Sequence, residues 1–397
     1  MKYHNPIITG FHPDPSVCRV GNDFYLVNSS FEYFPGIPIY HSTDLTHWEQ
    51  IGHVLDRKNQ LKLVSGAPNC LGIYAPTIRY HEGIFYCIVT NVGGRSGGNF
   101  FVYTTDPYGR WSNPVKLPFA GIDPSLFFDE DGRIYYTGTD TGIYIAEITF
   151  DVVRNDTPKR NELPVSIQNV KCGEKHYIWN GSGGNNPEGP HLYRIHDMYY
   201  LMIAEGGTEY CHMVTIARSK NVYGPYEACP HNPVLSNRST CLNIKAIGHA
   251  DLVEDSQGSW WAVCLGIRPL GYPFRHNLGR ETMLAPVKWE NGWPVMGDNG
   301  TVTETFEVET APGKKTRKSD FYIPGSNMTD TFCSNKLHPS WNTIYTPVSK
   351  FVKPTKQGLS LCAYDTTLSD DKPKAILVRR QEHFHFTATA TLTLESV

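Results

Sequence analysis

The chain has little net charge and no long apolar run. Lys and Arg total 36 against 39 Asp and Glu, a formal charge of −3 over 397 residues. That balance does not select nucleic acid or an acidic membrane as a partner. The opening MKYHNPIITGFHPDP lacks the apolar core of a secretion signal, and no later stretch reaches the apolar length of a membrane span. None of the ten cysteines forms a C-x-x-C pair. Cys18, Cys87 and Cys264 lie inside apolar, strand-like runs, so the expectation is reduced, buried thiols in a cytoplasmic protein. The Asn-x-Ser/Thr match at Asn28 then reads as chance. Long amphipathic helical patterns are missing as well.

Aromatic residues are plentiful: 23 Tyr, 18 Phe and 8 Trp make up 12% of the chain. They suit a β-rich protein or one that stacks on flat ligands. With 35 Gly and 28 Pro, the chain must turn often.

Five segments share one pattern: DPSVCRVGNDFYLVNSS from Asp14, APTIRYHEGIFYCIVTN from Ala75, DPSLFFDEDGRIYYTGT from Asp123, GPHLYRIHDMYYLMIAE from Gly189 and HADLVEDSQGSWWAVCL from His249. Each opens on a small, acidic or His residue, usually followed by proline. A short apolar strand, a polar turn and an aromatic-rich strand follow, which is a β-hairpin pattern. The second positions, Pro15, Pro76, Pro124, Pro190 and Ala250, are 61, 48, 66 and 60 residues apart. Between them a second piece recurs: IYHSTDLTHWEQI from Ile39, FVYTTDPYGRWSNPV from Phe101 and TIARSKNVYGPYEA from Thr215. Four strands per unit and five units predict an all-β fold, a five-bladed β-propeller over residues 1–302. The alternative is a β-sandwich with accidental similarity.

After Val302 the chain turns polar and Pro/Gly-bearing, and residues 303–329 read as a linker. DTFCSNKLHPSWNTIYTP and the alternating FHFTATATLTLESV then suggest strands of a second domain over 330–397. So short a stretch reads as an incomplete β-sandwich with little core of its own. RRQEHFHF reads as an alternating strand and not a metal site. GKKTRK, from Gly313, reads as solvated linker, and GGRSGGN, from Gly93, as a flexible loop near the pocket mouth.

In a propeller the innermost strands surround one axis, so equivalent strand starts converge on one mouth. Here those starts are Asp14, Ala75, Asp123, Gly189 and His249, with Glu188 just before Gly189. An isolated Asp-Pro usually just starts a turn. Three acids at matching places in a repeat point instead to a shared pocket. Crowded acids repel and their pKa values spread, so one stays protonated while another is ionised. Glycosidic bond hydrolysis needs that combination.

These residues resemble a known family. NPIITGFHPDPSVCRVGNDFYLVNSSFEYFPGIPIYHSTDL, GIYAPTIRYHEGIFY, GIDPSLFFDEDGRIYY, NPEGPHLY, AEGGTEY, GHADLVED and LGRETMLAPVKWENGWPV are similar to the β-xylosidases of glycoside hydrolase family 43. The resemblance runs from Tyr3 to about Val302, and more loosely beyond. It implies a five-bladed propeller, a following β-sandwich and hydrolysis with inversion. By motif it implies Asp14 as general base, Glu188 as general acid and Asp123 as the third acid, which orients Glu188 and raises its pKa. Arg280, in LGRET, takes the place of a substrate-binding arginine, a structural ion pair with Glu281 or another acid being the alternative. Phe31 and Tyr74 fall where relatives line the terminal-sugar subsite, commonly with Trp at the place of Tyr74; core packing is the rival reading for both. Thr208 falls on the pocket wall. His249 matches a histidine on the axis, which in relatives lies beneath the acids and binds water or a central cation such as calcium. Hydrolysis requires no cofactor.

The function so implied is an exo-acting, inverting hydrolase that releases xylose from β-1,4-xylo-oligosaccharides, with α-L-arabinofuranosidase side activity. Two alternatives stand beside it: an arabinan- or arabinoside-active enzyme of the same fold, and an inactive or sugar-binding truncated propeller. The resemblance also implies a pocket-closing aromatic from a complete sandwich, which the short C-terminal stretch is expected to lack, and it leaves a homo-oligomer open.

Overall fold

A computed structural model describes residues 1–63, 70–93, 97–309, 312–313, 321–334, 336–345, 347, 350–370 and 372–393. Among these the secondary structure is almost wholly β, with no α-helix. The five sequence repeats become five sheets of four or five antiparallel strands. Blade I comprises Ser16–Val20, Asp23–Val27, Gly36–Ser42 and Glu49–Leu55. Blade II comprises Thr77–His81, Ile84–Val92, Gly98–Thr104 and Val115–Lys116, with Gly72–Ile73 added beside the second strand. Blade III has Ile122–Phe128, Ile134–Thr139, Ile143–Arg154 and Val165–Cys172, with His176–Trp179 beside its third strand. Blade IV has Glu188–Ile195, Met198–Glu205, Met213–Ser219 and Glu227–Ala228. Blade V has Lys245–Glu254, Trp260–Ile267, Glu281–Glu290 and Trp293–Met296.

The first strands contact one another in the order I–II–III–IV–V–I, which closes the ring. The apolar core lies mainly between blades. One cluster joins I to II around Val27, Ile78 and Val89, and another joins II to III around Phe101 and Tyr136. The largest joins blades I, IV and V around Trp48, Met202 and Cys264. Aromatic-rich second strands thus fill the wedges between sheets. Lys2–His4 pairs with Thr305–Glu307, and the Asn5 amide donates to the Leu284 carbonyl at 2.9 Å, so the N-terminus locks onto blade V. All ten cysteines are unpaired, and Cys18, Cys87 and Cys264 are buried.

The blade starts share a backbone feature invisible to composition. Asp14, Asp123, Gly189 and His249 all adopt positive φ: +53°, +53°, +61° and +47°. The ladder register shifts there in blades III, IV and V. Proline cannot donate to a ladder, so Asp-Pro and Gly-Pro sit at these bulges, and a bulge re-aims its side chain. Asp tolerates the left-handed conformation better than bulkier residues do. In blade IV the position itself is glycine, and the acid moves one residue earlier, to Glu188.

The C-terminal region lies against the propeller. Thr343–Ile344 pairs with Tyr33–Phe34, and Val352–Thr355 with Gly358–Leu361. The alternating pattern in RRQEHFHF and in FHFTATATLTLESV does not become strand over the described residues 379–393. Alternation supplies two faces but no partner ladder, and most of residues 385–393 are exposed. Glu382 instead turns inward, accepting from the Tyr322 hydroxyl at 2.5 Å and pairing with Arg379 at 3.0 Å. Residues 314–318 of GKKTRK, 94–96 of GGRSGGN and 394–397 lie outside the described residues.

Candidate active site

Asp14 is 5% exposed. Its Oδ1 accepts from Arg280 Nη1 at 2.9 Å and its Oδ2 from the Ser29 hydroxyl at 2.5 Å. Burial alone would raise its pKa. Arg280 foremost, then His249, Ser29 and His212, outweigh burial and hold the carboxyl below its ordinary value. Asp14 is therefore an ionised carboxylate at neutral pH.

Glu188 behaves oppositely. Burial first, then the charge of Asp14, push its pKa up to about 7, against the pull of Arg280. Asp123 is pushed well above its ordinary value by burial, then by Glu188 and Asp14. The Asp123–Glu188 pair thus retains a proton near neutrality. Asp123 Oδ2 accepts from the Gly189 N–H at 3.1 Å, fixing the backbone next to Glu188. The loop before Glu188 is braced twice more. The Thr139 hydroxyl donates to the Pro187 carbonyl at 2.8 Å, and buried Glu205 accepts from the Ser182 N–H at 2.6 Å.

Arg280 does not pair with Glu281, whose carboxylate is taken by Arg268 at 2.6 Å. Its Nη1 reaches both Asp14 and the Thr208 hydroxyl, the latter at 3.0 Å, and its guanidinium lies 5.4 Å from the Phe31 ring. Phe31 stands between Phe11 and Tyr74, with ring centroids 5.7 and 5.3 Å away. Phe31 is buried and Tyr74 half-buried, so the aromatic wall adjoins the carboxylate that Arg280 holds.

His249 is buried, and its ring lies 3.1 Å from where a Cβ on Gly189 would stand. Burial foremost lowers its pKa, against the charge of Asp14, which raises it. Among the described residues no group of three or more His, Cys, Asp or Glu side chains could hold a metal ion. No chemical step is routed through a cation.

Sequence reasoning missed the layer beneath. Two residues past Asp14, Asp123, Gly189 and His249 come Ser16, Ser125, His191 and Asp251. Side chains two apart point the same way along a strand, and here they meet on the axis. Asp251 accepts from Ser16 at 2.6 Å, Tyr193 at 2.6 Å and Arg79 at 2.7 Å. Arg79 also reaches His191 at 3.0 Å, and His191 reaches Ser125 at 3.1 Å. All five blades contribute to this buried network. Ser29 and His212 were also missed. Ser29 lies in an ordinary-looking loop, and buried His212 packs against Gly248 from another strand.

One ionised carboxylate, a second that retains its proton and an aromatic wall define a hydrolytic centre of the glycosidase type on a propeller. The comparisons agree. Residues 3–294 match the family described as glycosyl hydrolases family 43, and 329–397 match the β-xylosidase C-terminal concanavalin A-like domain. The chain is 44% identical over 397 residues to a non-reducing-end α-L-arabinofuranosidase of Bacteroides ovatus, covering 98% of this chain and 70% of that protein. It is 46% identical over 316 residues to a xylosidase/arabinosidase of Butyrivibrio fibrisolvens, covering 77% of this chain and 59% of the relative. The solved structure of the Bacteroides ovatus xyloglucan PUL protein GH43B superposes with a TM-score of 0.84 at 41% identity, covering 97% of this chain and 73% of that one. The chain belongs to glycoside hydrolase family 43, and it is a glycoside hydrolase.

Proposed function

We propose that the chain is an exo-acting, inverting hydrolase of terminal pentosides, releasing xylose from β-1,4-xylo-oligosaccharides. The opposite displacement of two acid pKa values carries this reading: Asp14 held down by Arg280, Glu188 pushed up to about 7. Asp14 takes a proton from water as that water attacks the anomeric carbon. Glu188 gives its proton to the leaving oxygen on the opposite face, and Asp123 positions Glu188 through Gly189. Such a pair works across a gap of roughly 6.5–9.5 Å, which leaves room for the water. Phe31 and Tyr74 stack on the terminal sugar, while Arg280 and Thr208 bond its hydroxyls. His249 supports the base and orders water beside it.

The second reading is α-L-arabinofuranosidase activity, favoured by the names of the two relatives above. Xylopyranose and arabinofuranose are both pentoses with similar hydroxyls, and a small pocket separates such isomers weakly. Comparing kcat/KM on p-nitrophenyl β-D-xylopyranoside and α-L-arabinofuranoside decides between them. A higher value on the arabinoside overturns xyloside preference, and no turnover of either overturns the pentosidase reading.

A further inference from the structure

The loops joining the second to the third strand of each blade open at the same end as the blade starts. Two of them, residues 206–212 of blade IV and 268–280 of blade V, meet twice. Beside Asp14 they meet where Arg280 donates to the exposed Thr208 hydroxyl. At the rim the Tyr210 hydroxyl donates to the Phe274 carbonyl at 2.5 Å, and the two rings lie 5.1 Å apart. Tyr272 stands 5.9 Å beyond Phe274. Tyr210 is 44% exposed, Leu270 62% and Tyr272 90%, so this rim is an apolar, aromatic patch in contact with water. Lys245 lies 5.4 Å from the Phe274 ring and supports it by a cation–π contact.

The patch has a direction. The Gly206 N–H donates to the Asn185 carbonyl at 2.7 Å, so the blade IV loop is joined to the segment that carries Glu188. The proton donor faces the departing group, so a rim on the donor's side faces the leaving sugar. Clustered exposed aromatics mark binding surfaces, and flat rings match the C–H faces of sugars. We propose that Tyr210, Tyr272 and Phe274 form a stacking platform for the sugar units on the leaving-group side of the scissile bond. The platform makes a longer oligosaccharide a better ligand than a single pentose. This rests on the pentosidase reading above.

The test uses the full chain carrying Glu188→Ala, so that ligands are not cut, titrated calorimetrically with xylose, xylobiose and xylotriose. Affinity is expected to rise roughly tenfold from xylose to xylotriose. Adding Tyr272→Ala, or Tyr210→Ala with Tyr272→Ala, is expected to remove most of that gain and leave xylose affinity unchanged. Tyr272→Ala alone is a fold-safe probe, because the side chain is almost fully exposed. A length gain that survives both variants overturns the platform, as does a parallel loss of xylose affinity. So does a change in sedimentation with the length gain intact, which would make the patch a contact between copies. Binding of xylose with no gain from length overturns the platform alone. Binding of neither xylose nor arabinose overturns the pentosidase reading, and the platform with it.

Discussion

Arg280→Ala should slide the whole pH–activity bell upward. Arg280 contacts Asp14 at 2.9 Å, with side chains only 19% and 7% exposed, so solvent screens the pair little. A cation in such contact lowers a carboxylate pKa by about 1–3 units. Ser29 still donates to Asp14 in the variant and keeps part of the effect, so the Asp14 pKa rises without losing all of its support. The base works only when ionised, and activity falls as pH drops through its pKa. Raising that pKa moves the acidic limb to higher pH. Arg280 also lowers the pKa of Glu188. Without it the acid keeps its proton to higher pH, and the alkaline limb, otherwise near pH 7, moves the same way. The assay is kcat/KM against pH on the preferred pentoside. Arg280→Lys keeps the charge on a flexible stem and should slide the bell less. An unmoved bell in Arg280→Ala, or one displaced to lower pH, refutes the electrostatic reasoning.

Three further outcomes are expected. Glu188→Gln should cut turnover of xylobiose by about 10²–10⁴-fold but spare a dinitrophenyl xyloside, whose leaving group needs no proton; equal losses would remove Glu188 from the acid role. Arg79→Leu strands the buried Asp251 carboxylate and should cost about 3–5 kcal/mol in chemical denaturation, with the double variant Arg79→Leu/Asp251→Leu losing less; an unaffected midpoint would show that the axial network holds nothing. Gly189→Ala puts a methyl 3.1 Å from the His249 ring at φ +61° and should lower kcat by displacing Glu188; wild-type kcat would show that the segment tolerates the shift.

The propeller was legible because each blade repeats one hairpin, with acid or small residue, proline, short strand, turn and aromatic strand in register. The acids were legible for the same reason: Asp14 and Asp123 occupy the same place in two repeats. The shared positive φ was not: the repeat aligns Asp14, Asp123, Gly189 and His249, but only the folded backbone shows that all four are left-handed. Arg79 and Asp251 looked like ordinary strand residues. Their partners come from other blades, and no local spacing encodes contacts closed around a ring. The alternating C-terminal stretch misled in the other direction. A two-residue period describes the faces of a strand, but a strand also needs a neighbour, and residues 385–393 have none among the described residues. Arg280 was ambiguous between substrate binding and an ion pair with Glu281 or another acid; Arg268 occupies Glu281, and Arg280 pairs with Asp14.

The central claim is that water activated by Asp14 attacks from the face opposite the group protonated by Glu188. Proton NMR of the first sugar formed from xylobiose, recorded before mutarotation, tests it directly. The account predicts α-xylose first, decaying toward the equilibrium mixture. β-Xylose first would mean retention through a covalent intermediate and would contradict the roles given to Asp14 and Glu188.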